Sequence, residues 1–450
     1  MQVLWTKTPE YAASFHNENH FEYPQSSDDE NPLLPVNAKS SLTSSKKKRF
    51  SFIDSLRGFT ALMMIMVDFA GPAFNYSIAH APWDGFSLAD FVMPSFLFLV
   101  GFSITLSTKR LHDSKYIITL NLLKRSIKLF LLGLFLNGGN YPSEYHDYQL
   151  TSLRYFGILQ RIAFVYLITS LTDVWFPKLK SFKGMLKFSY HYIIMMIIVV
   201  IYLLLTFNTN VPGCGKGLLT PECNSHRYWD IYVAGSDNHL YGLPEYIRMP
   251  ECSSCSPGNC PIEDRPDWCD ESFDQQGIVS SFGAVNSGLM GLIAGNTMKF
   301  KMDVSSKVRY WFIFGAGSFF YSFLLVSTGL PINKNLYTPS FVALNWGIDY
   351  WLLGIFLALV ELKQRYIKTI LYVFEAVGKN SILIFVFCTS GYFDEILQWV
   401  YYKDEKENIV TFTENNLKRV FGLDFGLITF TILKVLFWSL VCVFLDKKKR

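Results

Sequence analysis

The sequence predicts an all-α polytopic membrane protein with about ten transmembrane helices, both termini cytosolic and one large disulfide-bearing luminal loop. Three observations carry that prediction. Half of the 450 residues are hydrophobic and only 17% are charged. The apolar residues fall in blocks of about 20, the length that crosses ~30 Å of hydrocarbon as a helix. The basic residues recur in clusters between alternate blocks.

Ten apolar blocks are read in order: 59–76, 88–107, 126–137, 155–175, 192–207, 277–298, 310–330, 341–362, 367–392 and 425–445. A helix satisfies its own backbone groups, which hydrocarbon cannot do, so each block is expected to be helical. The third is short and gains length only from an amphipathic lead-in that begins at Asn121.

Orientation follows from lysine and arginine. Clusters occur at 46–49, at Lys109, Arg110 and Lys115, at Lys178, Lys180, Lys183 and Lys187, at Lys299, Lys301, Lys307 and Arg309, at Lys363, Arg365 and Lys368, and at 447–450. With ten spans all of these share one side, which the positive-inside rule makes the cytosol. The net charge of +4 therefore describes topology and not nucleic-acid binding.

The loop 208–276 on the opposite side holds six of the eight cysteines: Cys214, Cys223, Cys252, Cys255, Cys260 and Cys269. An even number in an oxidising compartment reads as up to three disulfides; the alternative is a metal site at Cys252-Ser-Ser-Cys255. The disulfide reading is preferred, with no metal expected. Cys388 and Cys442 lie in apolar blocks and read as core.

Residues 1–49 are polar and aperiodic and are expected to form a disordered cytosolic tail. No cleavable signal peptide is read; the first block would itself direct insertion. Within the tail, Asp29-Glu-Asn-Pro-Leu33-Leu34 fits the acidic dileucine pattern by which adaptor proteins sort membrane cargo. The transmembrane domain is placed at 50–446 and a basic cytosolic tail at 447–450. The sequon Asn75-Tyr-Ser77 falls too near the membrane for glycosylation.

The chemistry concentrates at His80-Ala-Pro-Trp-Asp-Gly85, between two blocks that each carry a carboxylate, Asp68 and Asp90. Ionisable groups at membrane depth are costly and line cavities or reaction sites. A histidine titrating near neutrality beside carboxylates is a proton-handling group. The plainer alternative is a solvated surface histidine; Pro82, Trp83, Asp84 and Gly85 argue for a rigid, partly enclosed pocket instead.

Several motifs resemble the heparan-α-glucosaminide N-acetyltransferase family and its transmembrane relatives. They are Arg49-x4-Asp54-x2-Arg57-Gly58, Val67-Asp68, His80-x2-Trp83-x-Gly85-x4-Asp90-x3-Pro94, and then Gly157-Ile-Leu-Gln160-Arg161. Val211-Pro-Gly-Cys214, Asp237-Asn-His239, Asn286-Ser287, Pro331-Ile-Asn-Lys334-Asn335 and Asn380-Ser-Ile382 follow in family order, so that the likeness covers roughly 49–445. The cysteine pattern is closer to the shorter plant and protist homologues, which lack the luminal N-terminal domain and preceding span of the animal enzyme.

The resemblance implies transfer of the acetyl group of cytosolic acetyl-CoA to the amine of a luminal terminal glucosamine of heparan-sulfate type, at the lysosomal or another internal membrane. His80 would be the active-site histidine, with Asp68 and Asp90 beside it; Asp68 stands about where animal members carry asparagine. Neutral imidazole would take the amine's proton, or would first carry the acetyl group itself. Arg57, Lys124, Arg125 and Arg161 are the candidates for acetyl-CoA; for Lys124, Arg125 and Lys128 topological anchoring is the slightly favoured reading. For Arg161, inside the fourth block, a phosphate, Asp54 or another buried carboxylate is the expected partner. Trp83, Asp84, His239, Asn333 and Asn335 are the candidates for the sugar. Membrane lipid is an expected partner, nucleic acid is not, and a homodimer stays open.

A second class stays open. Interior Asp68, Asp90, Arg161, Asp349 and Glu375 would also suit a proton-coupled solute transporter, although neither duplicated halves nor paired broken helices are evident. Acetylation of a different luminal sugar is the nearer alternative.

Overall fold

The computed structural model describes residues 50–70, 79–107, 114–137, 153–176, 190–242, 269, 271–362, 364–389, 391–400 and 408–449. The fold is that of the compact unit Phe52–Arg450. The dileucine pattern at 29–34, the sequon at 75–77 and Cys252, Cys255 and Cys260 lie outside the described residues.

Each apolar block contributes helix among its described residues, and further helices lie between the blocks. In chain order these are α1 (Ser51–Ala70), α2 (Val92–Ser107), α3 (Lys115–Asn137), α4 (Ile158–Trp175), α5 (Tyr190–Phe207), α6 (Ser225–Ala234), α7 (Ile278–Thr297), α8 (Val304–Ser327) and α9 (Pro339–Glu361). Then come α10 (Arg365–Lys379), α11 (Ser381–Ile384) with a π-helical turn at Phe385–Thr389, α12 (Tyr392–Gln398), α13 (Ile409–Phe421) and α14 (Leu423–Lys449). Six of them, α4, α5, α7, α8, α9 and α14, are long and apolar enough to cross a membrane on length and composition alone. The all-α polytopic class therefore holds. The difference from ten has physical causes. Asp54, Arg57 and Asp68 dilute α1, and Lys124, Arg125 and Lys128 dilute α3. α2 is apolar but short.

The ninth block departs most from expectation. It is expected as one span, but α10 and the segment Ser381–Cys388 meet at a 68° bend. α10 carries Arg365, Lys368, Glu375 and Lys379 on an amphipathic helix, whereas the residues after Asn380 are apolar. Asn380 turns its side-chain amide back onto the Ala376 carbonyl at 2.8 Å, and the π turn re-forms the backbone bonds beyond it.

α7 is buried along nearly its whole length, as a helix apolar or small on every face must be. It packs on α2 through glycines. A Cβ at Gly101 would collide with the Gly288 carbonyl, and one at Gly291 with the Phe98 carbonyl. Small residues let helix backbones touch where lipid offers no hydrophobic drive to associate. α5 and α8 instead turn Ile193, Met196, Ile197, Ile313, Phe320 and Phe323 outward. α3 and α4 form a hairpin, tied by Ser126 Oγ on the Ala163 carbonyl (2.8 Å) and Asn137 Nδ2 on the Phe156 carbonyl (2.8 Å).

Between α5 and α7 the chain forms a two-stranded antiparallel ribbon, β1 (Asn210–Val211) with β2 (Gly215–Lys216), and then α6. Cys214 and Cys223 are joined by a disulfide, and Cys269 is also disulfide-bonded. Asn224 caps α6 by accepting from Arg227 N–H (3.0 Å), while Asp230 on α6 caps α7 by accepting from Ile278 N–H (2.7 Å).

Candidate active site

Three loops converge at the end of the bundle where α1 finishes and α2, α4, α7 and α9 begin. The loop before α2 carries His80, the ribbon segment carries Leu219, and the turn 331–338 precedes α9. Gly85 N–H donates to the Ile332 carbonyl at 2.8 Å, and the Trp83 indole N–H to the Leu219 carbonyl at 2.7 Å. Trp83 is buried against Phe273 and Leu336. Gly85 sits at φ 119°, a conformation that a residue with a Cβ adopts only under strain. These contacts fix the turn whose tip is His80.

Asp90 lies two residues ahead of α2 with no exposed side-chain surface. Its Oδ2 accepts from Ser87 N–H (2.9 Å), Ser87 Oγ–H (3.0 Å) and Ala81 N–H (3.3 Å). Its Oδ1 faces His80 Nδ1 at 2.8 Å and Lys334 Nζ at 3.4 Å. Lys334 Nζ is also 2.7 Å from His80 Nδ1. About a quarter of the His80 side chain, 26%, remains accessible.

Charge states follow from these contacts. Burial works to raise the Asp90 carboxyl, but the Lys334 ammonium, the His80 hydrogen bond and the Ser87 amide outweigh it and bring it down to about 2. Burial, then Lys334, lowers His80 below its ordinary 6.5, against the pull of Asp90. Burial also lowers Lys334, with Asp90 and Asp68 opposing. These contacts suit a carboxylate–ammonium pair beside an imidazole that gives up its second proton more readily than a free one. When Nδ1–H donates to Asp90, Nε2 keeps its lone pair and can accept a proton.

The other sequence candidates take different places. Asp68 is exposed in the last turn of α1, with its charge near enough to act on Lys334. Asp84 Oδ1 accepts from Asn333 Nδ2 at 3.0 Å, and Asn335 Nδ2 donates to the Pro82 carbonyl at 3.2 Å. Both asparagines are buried, so they clamp the His80 turn. His239 stacks on Tyr155 with ring centroids 4.1 Å apart and places Nδ1 2.9 Å from the Leu153 carbonyl.

Arg161 is buried near the start of α4. It donates to Ser280 Oγ at 2.5 Å and to the Gln275 carbonyl, and lies over the Tyr337 ring at 5.1 Å. Tyr337 is held at φ 55°, unusual for a bulky residue. Asp54, one expected partner of Arg161, is instead bound by Arg57 at 2.8 Å, and Arg57 also donates to Ser103 Oγ at 2.8 Å. Arg57 lies 13 residues before the end of α1, so roughly 20 Å of helix separate it from the His80 end. Lys124 and Arg125 do not sit at a helix start, because α3 reaches back to Lys115 and places them near its middle. Lys124 is exposed, and Arg125 rests over the Tyr166 ring at 4.8 Å.

Lys334 was not among the candidates read from sequence. It stands 254 residues from His80, and the one available signal was its position inside Pro331-Ile-Asn-Lys-Asn335.

Residues 49–215 match the family model described as heparan-alpha-glucosaminide N-acetyltransferase, catalytic. Among curated proteins, the mouse heparan-alpha-glucosaminide N-acetyltransferase is 25% identical over 377 residues, covering 76% of this chain and 53% of its own. The human protein of that name is 24% identical over 373 residues, covering 75% and 52%. The chain thus spans about half the length of the curated relatives it matches. His80, Asp90, Arg57 and Arg161 fall inside the matched region and Lys334 outside it. Residues 49–215 are thus similar to the catalytic region of the heparan-alpha-glucosaminide N-acetyltransferases, and about three quarters of the chain aligns with two curated proteins of that name.

Proposed function

We propose that this chain is a membrane-embedded N-acetyltransferase. It moves the acetyl group of cytosolic acetyl-CoA to the amine of a luminal amino sugar, a terminal glucosamine of heparan-sulfate type being the preferred acceptor. The observation that carries this reading is the 2.8 Å contact between His80 Nδ1 and buried Asp90 in a region matching the catalytic family model.

Asp90 orients the imidazole by accepting a hydrogen bond from Nδ1–H, which leaves Nε2 as base. As the amine nitrogen bonds to the thioester carbon, its proton passes to Nε2. The C–S bond breaks with its electron pair on the sulfur, which takes up a proton, so that amine and thioester become amide and thiol. A carbonyl attack by Nε2 itself, followed by the amine, gives the same balance. Lys124, exposed on α3, and Arg125, half-buried over Tyr166 beside it, are the cations offered to the cosubstrate's phosphates. Arg57 and Arg161 already have acceptors within the protein and would act by holding helices. A dileucine signal at 29–34 would route the protein to the lysosomal membrane.

The test uses sealed vesicles carrying wild type or His80→Ala, with labelled acetyl-CoA outside and glucosamine inside. Acetylated sugar formed by wild type alone is the expected result. Absence of product with folded wild-type protein overturns the reading.

A further inference from the structure

One nitrogen of His80 has two claimants. Nδ1 lies 2.8 Å from Asp90 Oδ1 and 2.7 Å from Lys334 Nζ, while Lys334 Nζ lies 3.4 Å from that same Oδ1. A ring nitrogen carries either a proton or a lone pair, so it cannot donate to Asp90 and accept from Lys334 at once. In one arrangement Nδ1–H and the ammonium share Oδ1; in the other the ammonium bridges Oδ1 and Nδ1. Both keep the lysine charge on Asp90, and the first, in which Nδ1 carries the proton, is the one that leaves Nε2 its lone pair to act as base. A buried carboxylate without that cation would draw a second proton onto the imidazole, which would then be no base.

We propose that Lys334 is a positioning residue of this site: its ammonium answers the Asp90 carboxylate, so that His80 stays uncharged and free to accept a proton. The inference rests on the acetyltransferase reading for its catalytic meaning, but its physical content concerns the protonation of one imidazole.

The surroundings are built for it. Asp90 Oδ2 is filled by Ala81 and Ser87, which leaves Oδ1 for the lysine and the histidine. Lys334 is flanked by Asn333 and Asn335, whose amides hold Asp84 and the Pro82 carbonyl of the His80 turn. The lysine is thereby pinned on both sides, with 15% of its side chain accessible. Among the described residues, the charges that act on Lys334 include Asp90 from the segment before α2, Asp68 from the end of α1 and Arg161 from the start of α4, while Asp84 of the His80 turn is held by Asn333. Asp90 and Asp68 favour the lysine's charge and Arg161 opposes it.

The experiment needs no substrate. Diethylpyrocarbonate reacts with uncharged imidazole, and mass spectrometry of the His80 peptide from the full-length protein gives its modification rate against pH. Lys334→Met is expected to raise the midpoint of that profile by about one pH unit or more, the size expected when a neighbouring opposite charge is left unanswered. Lys334→Arg should keep the wild-type midpoint. An unshifted midpoint in folded Lys334→Met overturns the proposal. Should that variant not fold, Lys334→Met combined with Asp90→Asn replaces it. A double variant whose midpoint rises above wild type then overturns the proposal, because no carboxylate remains to draw the proton; a midpoint at or below wild type supports it. A shifted midpoint in a protein that transfers no acetyl group would leave the role of Lys334 standing and remove the enzymatic reading; transfer with an unshifted midpoint would do the reverse.

Discussion

The indole nitrogen of Trp83 donates to the carbonyl of Leu219 across 2.7 Å, which ties the loop bearing the histidine to a loop 136 residues away. Trp83→Phe keeps the ring against Phe273 and removes this one bond. The expected loss is about 1 kcal/mol of stability. Trp83→Ala also empties a buried ring site and should cost about 3–5 kcal/mol. Melting in detergent and acetyl transfer by each variant check the two values.

Leu219 lies inside the ring closed by Cys214 and Cys223, whose sequence separation is 9. Replacing both cysteines by serine should cost about 2–4 kcal/mol. Because the freed segment carries the Trp83 acceptor, transfer activity should fall further than the melting temperature alone predicts, and rate measurements well below the melting range separate the two effects.

His80 is lowered from 6.5, so its base form persists into mild acid. The acid limb of kcat/KM for acetyl transfer should therefore have its midpoint below 6.5. A profile from pH 4 to 8 tests this, and a midpoint above the ordinary histidine value would contradict it. His80→Ala should lower the rate by roughly 10²- to 10⁴-fold.

The Asp90 carboxyl is lowered from 3.8 to about 2 in the folded protein. Its contribution to stability, about 2 kcal/mol, is therefore complete above the unfolded value and lost as pH falls through the folded one. Acid melts between pH 5 and 2 should show a loss that Asp90→Asn does not. In that variant Lys334 has lost the Asp90 charge, the larger of the two carboxylate influences that hold its proton, and lies 2.7 Å from the imidazole. Incubation with acetyl-CoA should then leave an acetyl group on Lys334, detectable by peptide mass spectrometry.

Gly101→Ala and Gly291→Ala should each destabilise the protein by about 1–3 kcal/mol, since the new methyl would meet backbone of the facing helix and not a movable side chain. Yield and thermal aggregation report the effect. Gly317→Ala, with nothing near the added carbon, is the matched control.

The helices were legible because apolar length is a local property: each of the ten blocks contributes helix among the described residues. Their continuity was less so. The bend at Asn380 was hidden inside a run that averaged as apolar, and the lysines and arginine of α3 looked like an edge because the lead-in from Lys115 is amphipathic. Within the site, His80 and Asp90 could be paired by eye, being 10 residues apart across a short turn. Lys334 could not, since it joins them only through tertiary packing. For the same reason Arg57 took Asp54, three residues earlier on its own helix, while Arg161 found serine hydroxyls on α7. Spacing shows what a helix can pair with itself and is silent on which helix comes to face it.

The Lys334 ammonium also bears on the incoming group. An amine drawn up to His80 meets this charge already matched by Asp90, 3.4 Å away, with Asp68 acting on the same lysine. The site therefore does not repel a protonated amine as a bare cation would, and on the proposed reading the imidazole itself must draw off the proton before the nitrogen can attack.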